Sequence, residues 1–397
     1  MSTIRARDRD IPALDGYRAI ASLLVLTTHV GFATGAILWP GLGPVVGRMD
    51  FGVALFFLLS GFLLSQPWLE AGERTRGRPA TRTYLRRRAA RILPAYWIAM
   101  VAALVLLPAN ASATAADWVR YTFLVQIYSD PTVHGGLTHL WSLSVEVSFY
   151  LVLPVLMWAV LRPTTCAAVP ARRVGLFLAS LLVLGLLSRA LALGPAQPTG
   201  LGLWLPSYLD WFAAGMIAAY ARVVRRRATP PRWATTLHTM ASDTGTAVMV
   251  GGLLLVVGLT PVAGPVTLDH PTIWQGVVKH ALYGGAAFFL LLPAFLGPAS
   301  GRFSRVMSSG PLRRLGTISY GIFLWHLLLL ELLQPALGLS LFSGGFWILW
   351  PVTVVASVLV ATVSWFLVEK PVLTRAHATA RMRATPDLPD ASPAHRR

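Results

Sequence analysis

A single cysteine, Cys166, stands in a chain of 397 residues, in an expected loop. One thiol excludes a disulfide framework, a cysteine-based zinc site and a CxxC redox pair. Charge is scarce as well. Charged residues make up 13% of the chain, about half the usual globular share. A water-soluble chain of this size could not cover its surface with 34 basic and 16 acidic side chains. Lysine is nearly absent (Lys279 and Lys370), and arginine takes its place. There is no Walker A loop and no strand–Gly-rich–helix unit, which argues against ATP drive and dinucleotide binding.

Apolar sequence fills the space that charge leaves. Hydrophobic residues make up 55% of the chain, and the mean hydropathy is +0.61. Apolar runs of about 20 residues, the length needed to cross roughly 30 Å of hydrocarbon, recur throughout. Ten are expected to be helical spans, over 19–39, 51–69, 92–109, 139–161, 174–193, 204–221, 244–262, 273–297, 315–336 and 346–368. The first is too long for a signal-peptide core and has no small-residue cleavage site after it. The fold class is therefore all-α, a polytopic membrane protein. Residues 1–373 form the transmembrane domain and 374–397 a disordered tail without apolar period. The longest outer loop, about 110–138, carries an aromatic stretch from Trp118 to Tyr128 that suits an interfacial amphipathic helix.

The net charge of +18 would suggest nucleic acid if it were spread over a soluble surface. Its placement excludes that partner. Apart from Arg48, Arg120, Arg189 and Lys279, the basic residues lie beside every second loop or at the termini. This is the positive-inside pattern with both termini in the cytoplasm. The charge then sits at the cytoplasmic face, where it attracts anionic membrane lipid and anionic metabolites.

Ionisable groups at membrane depth are costly and need a reason. Asp15, placed as a helix N-cap, and Arg18 open the first span. His29, eleven residues on, lies roughly 16 Å deeper. His326 reaches a similar depth on the ninth span. Glu146 and Asp210 enter from the outer side, and Ser60 with Gly61 falls mid-span, with Ser60 expected to serve packing. His134, His238, His270, His377 and His395 are expected to be solvated. A neutral histidine can take a proton from a hydroxyl, and a carboxylate can orient that histidine and stabilise its cation. His29, His326, Glu146 and Asp210 are thus the candidate catalytic residues. The plainer alternative is that each bonds a neighbouring helix. On the cytoplasmic side, Arg88 and Arg91 are three apart and share a face if the helix has begun there; guanidinium forks suit phosphate groups.

These residues fall in blocks that resemble the acyltransferase-3 family of integral membrane proteins. The blocks are Leu14-Asp15-Gly16-x-Arg18-Ala19 with His29, Phe56-Phe57-Leu58-Leu59-Ser60-Gly61-Phe62, Arg88-x-x-Arg91-Ile92-x-Pro94 and His139-Leu140-Trp141-Ser142-Leu143-Ser144-Val145-Glu146. Asp210-x-Phe212-x-x-Gly215-Met216, Ile318 to His326 and Glu369-Lys370-Pro371 follow in order. The resemblance runs from Ile11 to about Pro371. It implies transfer of an acyl group, commonly acetyl, from cytoplasmic acyl-coenzyme A to a hydroxyl of a sugar or related acceptor. Acyl-coenzyme A is then a co-substrate, with no tightly bound cofactor and no metal. It also implies that His29 is the catalytic histidine and that Arg18, Arg88 and Arg91 serve the donor. Where the family often reads Val-Glu-Glu-Gln-Phe-Tyr, Val147 and Ser148 replace the second Glu and the Gln. The chain ends soon after its tenth span, as in the stand-alone form without a C-terminal hydrolase-like domain.

One His-x4-Asp spacing occurs, His238 to Asp243, in a predominantly apolar chain, and no Asp-His-His-Cys setting is present, which argues against protein palmitoylation. The competing readings are a transporter or flippase for a lipid-linked or amphipathic molecule, and a structural partner of a cell-wall enzyme. A transporter would be expected to show broken helices or repeats. A structural partner would leave the two midplane histidines unexplained. Acceptors compatible with the sequence include a surface polysaccharide, a cell-wall lipid and a natural-product sugar.

Overall fold

The computed structural model describes residues 11–73, 78–129, 134–161, 169–194, 200–266, 269 and 271–382. Cys166, Arg5, Arg7, Arg9, His270 and the end of the expected tail lie outside them. The described residues are helical, with no strand among them. The principal helices are α1 (Ala13–Thr34), α2 (Gly52–Gly72), α3 (Thr81–Leu106), α4 (Ala115–Thr122), α5 (Trp141–Val160), α6 (Ala171–Ala192) and α7 (Leu209–Val224). They continue with α8 (Arg232–Ser242), α9 (Thr244–Gly258), α10 (Ile273–Leu296), α11 (Arg302–Met307), α12 (Gly310–Ala336), α13 (Phe346–Ser364) and α14 (Lys370–Met382).

Each of the ten apolar runs falls on a helix of its own. Among the described residues, seven helices are long and apolar enough to cross a membrane. The remaining three runs are on α1, which carries Asp15 and Arg18, and on the short α7 and α9. The protein is multi-pass. Its outer surface shows why water is the wrong solvent: Leu151, Val155, Leu176, Trp347 and Leu367 are all more than half exposed. An apolar surface this extensive belongs against lipid.

Several boundaries differ from the sequence expectation; among them, α14 runs to Met382 and so takes in the first residues of the expected disordered tail. α1 begins at Ala13 with Pro12 at its N-cap, so Asp15 is not the cap; it sits in the first turn and pairs with Arg18 at 3.0 Å. α3 begins at Thr81, eleven residues before the apolar run. Arginine, alanine and leucine are all good helix formers, so the helix extends out of the apolar region and carries Arg88 and Arg91 on one face. α7 begins at Leu209, because Pro206 and two short 3-10 turns occupy the stretch before it.

The outer loop folds back on itself. α4 opens with a reciprocal cap between Thr114 and Asp117. The Thr114 hydroxyl and backbone amide hold the Asp117 carboxyl down at about 2. Val119 and Phe123 remain exposed, as an interfacial helix requires. His134 is not solvated: it is buried, edge-on to Tyr121 and 3.5 Å from Asp117.

The centre of the bundle is the α2–α7 pair, the most extensive helix contact in the molecule. Gly61 and Gly215 make it possible. A Cβ at Gly61 would fall on the Phe212 carbonyl, and one at Gly215 on the Leu58 carbonyl. Without a hydrophobic drive between helices in lipid, such small-residue seams are what lets backbones approach. Phe212 lies between Phe57 (4.7 Å) and Phe149 (4.0 Å), both stacked on it, and so ties α5 to this pair. α12 packs chiefly against α1 and α13.

Candidate active site

α1 places two functional side chains in line. Arg18 and His29 are eleven residues apart, which returns the helix to within about 20° of the same face after roughly 16 Å of rise. Arg18 lines a cavity closed by α2, α3, α5 and α12. The polar lining of this cavity includes Arg18, Arg88, Arg91, Glu146, Ser60 and Tyr150. Three guanidinium groups, Arg18 already paired with Asp15, against Glu146 leave a positive excess in a partly apolar chamber. Such a site suits an anionic ligand. The buried Nε of Arg88 has no hydrogen-bond partner among the described residues, so part of that fork is available.

Glu146 does not reach His29 in this arrangement. Its Oε1 accepts from the Ser60 hydroxyl, a bond across α2 and α5, and Tyr150, one turn on, interacts with the same carboxylate. Ser60, read from sequence as a packing residue, is therefore a polar member of the chamber.

His29 and His326 meet. His29 Nδ1 is 2.7 Å from the Val25 carbonyl oxygen and 3.2 Å from His326 Nε2. His326 Nδ1 is 2.6 Å from the Phe323 carbonyl. A carbonyl oxygen only accepts, so the proton of each neutral ring sits on Nδ1. His29 Nδ1–H donates to Val25 and, shared, to His326 Nε2. His29 Nε2 is left with an unprotonated lone pair, the form a general base needs. A positive charge arising on His29 would strengthen both Nδ1 bonds.

The chamber and the histidines share a wall. Phe323 lines the chamber and rests 5.0 Å, ring to ring, from His139. Ser142 also lines it and donates its hydroxyl to the His139 carbonyl at 3.0 Å. His139 in turn is 4.7 Å from His326 and 6.2 Å from His29. Three imidazoles thus cluster behind Phe323. They do not form a metal-ligand set: no group of three such side chains suited to a metal occurs among the described residues.

Asp210 is taken up elsewhere, which corrects its expected place beside His29. Its Oδ1 accepts from His280 Nε2–H at 2.9 Å, both side chains being buried. The His280 ring stacks on Trp211 at 4.2 Å. Depth along the membrane suggested a common site, but Asp210 faces α10. Lys279, left without a role in the sequence, pairs with Asp50 at 2.7 Å. The sequence left His280 unassigned, and it took His139 only as the first residue of the block that ends at Glu146.

Fold and site define a class: a multi-pass helical membrane protein with an arginine-lined chamber abutting a histidine cluster in which His139 and His326 are buried and His29 is half-buried. The chain belongs to the acyltransferase-3 family, whose acyltransferase-domain model matches residues 11–369. It is 24% identical over 391 residues to the peptidoglycan O-acetyltransferase OatA of Listeria monocytogenes, covering 93% of this chain and 57% of that one. It is 23% identical over 389 residues to Nodulation protein 10 of Rhizobium leguminosarum, covering 90% and 92%. Over a shorter stretch of 156 residues it is 32% identical to the acyltransferase MdmB of Streptomyces mycarofaciens, covering 36% and 38%. The chain spans little more than half the length of the peptidoglycan O-acetyltransferases it matches. No solved structure matches it.

Proposed function

We propose that the protein is an O-acyltransferase of the bacterial plasma membrane that moves an acyl group, acetyl by analogy with its relatives, from cytoplasmic acyl-coenzyme A to a hydroxyl of a carbohydrate-type acceptor. The observation that carries the reading is the shared wall: a chamber with three arginines ends on the residues that pack the histidine cluster. Coenzyme A is anionic at one end and carries its thioester at the end of a thin arm. Arg88 and Arg91, with Arg18, would hold the phosphates while the arm runs inward toward Phe323. Both termini lie in the cytoplasm in this reading, and the acceptor comes from the outer side.

His29 is the general base. As the acceptor oxygen attacks the thioester carbonyl carbon, its proton passes to His29 Nε2. The tetrahedral intermediate collapses, the C–S bond breaks, and the departing thiolate takes the proton from the His29 imidazolium. The cation is stabilised in between by the Val25 carbonyl and His326 Nε2. That is the part the sequence had offered to Glu146 or Asp210. Glu146, between Ser60 and the arginines, is a positioning residue for the donor chamber.

The transporter reading expects a broken helix, and one bend of 90° does occur, between α8 and α9. It falls at Asp243, whose carboxylate caps α9 through Thr246, and none of the candidate site residues is on either helix. The test is direct. Full-length protein in proteoliposomes is given acetyl-labelled acetyl-coenzyme A and, in separate arms, peptidoglycan fragments, a lipo-oligosaccharide and a hydroxylated natural-product glycoside. Alkali-labile label on one acceptor is the expected result. Acceptor crossing the bilayer unmodified, with the thioester intact, would favour transport instead.

A further inference from the structure

His139 is 3% exposed, and neither of its ring nitrogens makes a hydrogen bond to any described residue. The backbone of Phe323 and Leu324 lies beside the ring without reaching hydrogen-bond geometry. Buried polar atoms are nearly always paired, and each one left unpaired costs about 1–3 kcal/mol. Two on one ring, next to the two histidines of the site, mark a place where a ligand completes the bonding.

We infer that His139 donates a hydrogen bond to the thioester carbonyl oxygen of the acyl donor and to the oxyanion that forms there. The inference rests on the acyltransferase reading above. Tautomer and position both favour a donor at this ring. His29 and His326 have their protons fixed on Nδ1 by backbone carbonyls. His139 has no such bond and can present an N–H on either side. It also stands at the end of the donor chamber, since Ser142 and Phe323 line that chamber and contact His139. A neutral imidazole can act as the electrophile to a carbonyl while a separate group is the base. The work then divides. His29 Nε2 accepts the hydroxyl proton, the carbonyl π electrons move to the oxygen held by His139 N–H, and their return expels the thiolate. Charge that develops only in the transition state is best stabilised by such a fixed donor in a water-poor site.

The test reads the carbonyl itself and needs no acceptor. Acetyl-coenzyme A labelled with carbon-13 at the thioester carbonyl is bound to the full-length protein in nanodiscs, and its carbonyl stretch is recorded by difference infrared spectroscopy. In the wild type the stretch moves to lower frequency than in solution. In His139→Phe it returns to the solution value, and in His139→Gln, which keeps an N–H donor, part of the shift remains. With an accepted substrate, His139→Phe lowers kcat about 10²–10³-fold, the usual cost of one oxyanion donor, with little change in the donor KM. A bound thioester whose stretch is the same in wild type and His139→Phe overturns the inference while leaving the acyltransferase reading intact. Absence of any acetyl-coenzyme A binding to the wild type overturns the donor reading, and the inference falls with it. If His139→Phe fails to fold, the Gln variant carries the comparison, and a Gln variant with no residual shift and unchanged kcat would contradict the role.

Discussion

His326 Nε2 lies 3.2 Å from His29 Nδ1, and the proton between them belongs to His29. Backbone carbonyls at Val25 and Phe323 impose that direction, because each takes an Nδ1–H from its own ring. The second histidine is therefore an acceptor to the first and stabilises the first when it is charged.

That relationship predicts an asymmetric response to mutation. His326→Leu removes one acceptor from the His29 imidazolium. A hydrogen bond to a charged group contributes about 1.5–3 kcal/mol, so kcat should fall roughly 10- to 100-fold, with the donor KM nearly unchanged. His326→Gln, which offers a side-chain carbonyl, should recover part of the loss. Steady-state kinetics in proteoliposomes checks both.

The donor chamber predicts the complementary pattern. Arg88→Ala or Arg91→Ala should raise the apparent KM for acyl-coenzyme A about 10- to 100-fold, on the same scale for charged hydrogen bonds, with kcat less affected. Lysine should rescue only partly, because it lacks the planar fork. An unchanged donor KM in folded variants would reduce the pair to a topology anchor.

The Asp210–His280 pair predicts a loss of stability rather than of chemistry. Asp210→Asn weakens a buried hydrogen bond between α7 and α10. Thermal unfolding in detergent should show a cost of about 1–3 kcal/mol, while kcat at permissive temperature stays near the wild-type value. A large kcat loss without destabilisation would return Asp210 to the catalytic set.

Orientation is testable with engineered cysteines in a Cys166→Ser background. Gly41, Ser112 and Ser343 are exposed positions on loops assigned to the outside, and Arg226 and Arg302 are exposed on loops assigned to the cytoplasm. A membrane-impermeant thiol reagent applied to whole cells should label the first three and spare the last two. The reverse pattern would invert the donor and acceptor sides.

The sequence shows the helices clearly, because a 20-residue apolar run admits few alternatives in lipid. It also shows the alignment of Arg18 with His29, which follows from eleven residues on one helix. What it could not show is rotation between helices. Glu146 and Asp210 enter from the same side at comparable depth, yet one meets Ser60 on α2 and the other His280 on α10. Only the packing set by Gly61, Gly215 and the Phe57–Phe212–Phe149 stack decides that. His139 was hidden for a related reason. It sits on a short 3-10 turn ahead of α5, where neither depth nor periodicity tells whether an imidazole faces outward or inward.

The most direct measurement of the central claim is acyl transfer by His29→Ala, with coenzyme A binding recorded on the same preparation. A general base contributes typically 10²–10⁴ in rate. In His29→Ala, kcat should fall by at least about 10²-fold while coenzyme A still binds through Arg18, Arg88 and Arg91. Retention of more than about a tenth of the wild-type kcat, well short of that range, would contradict it and move the base to another member of the histidine cluster.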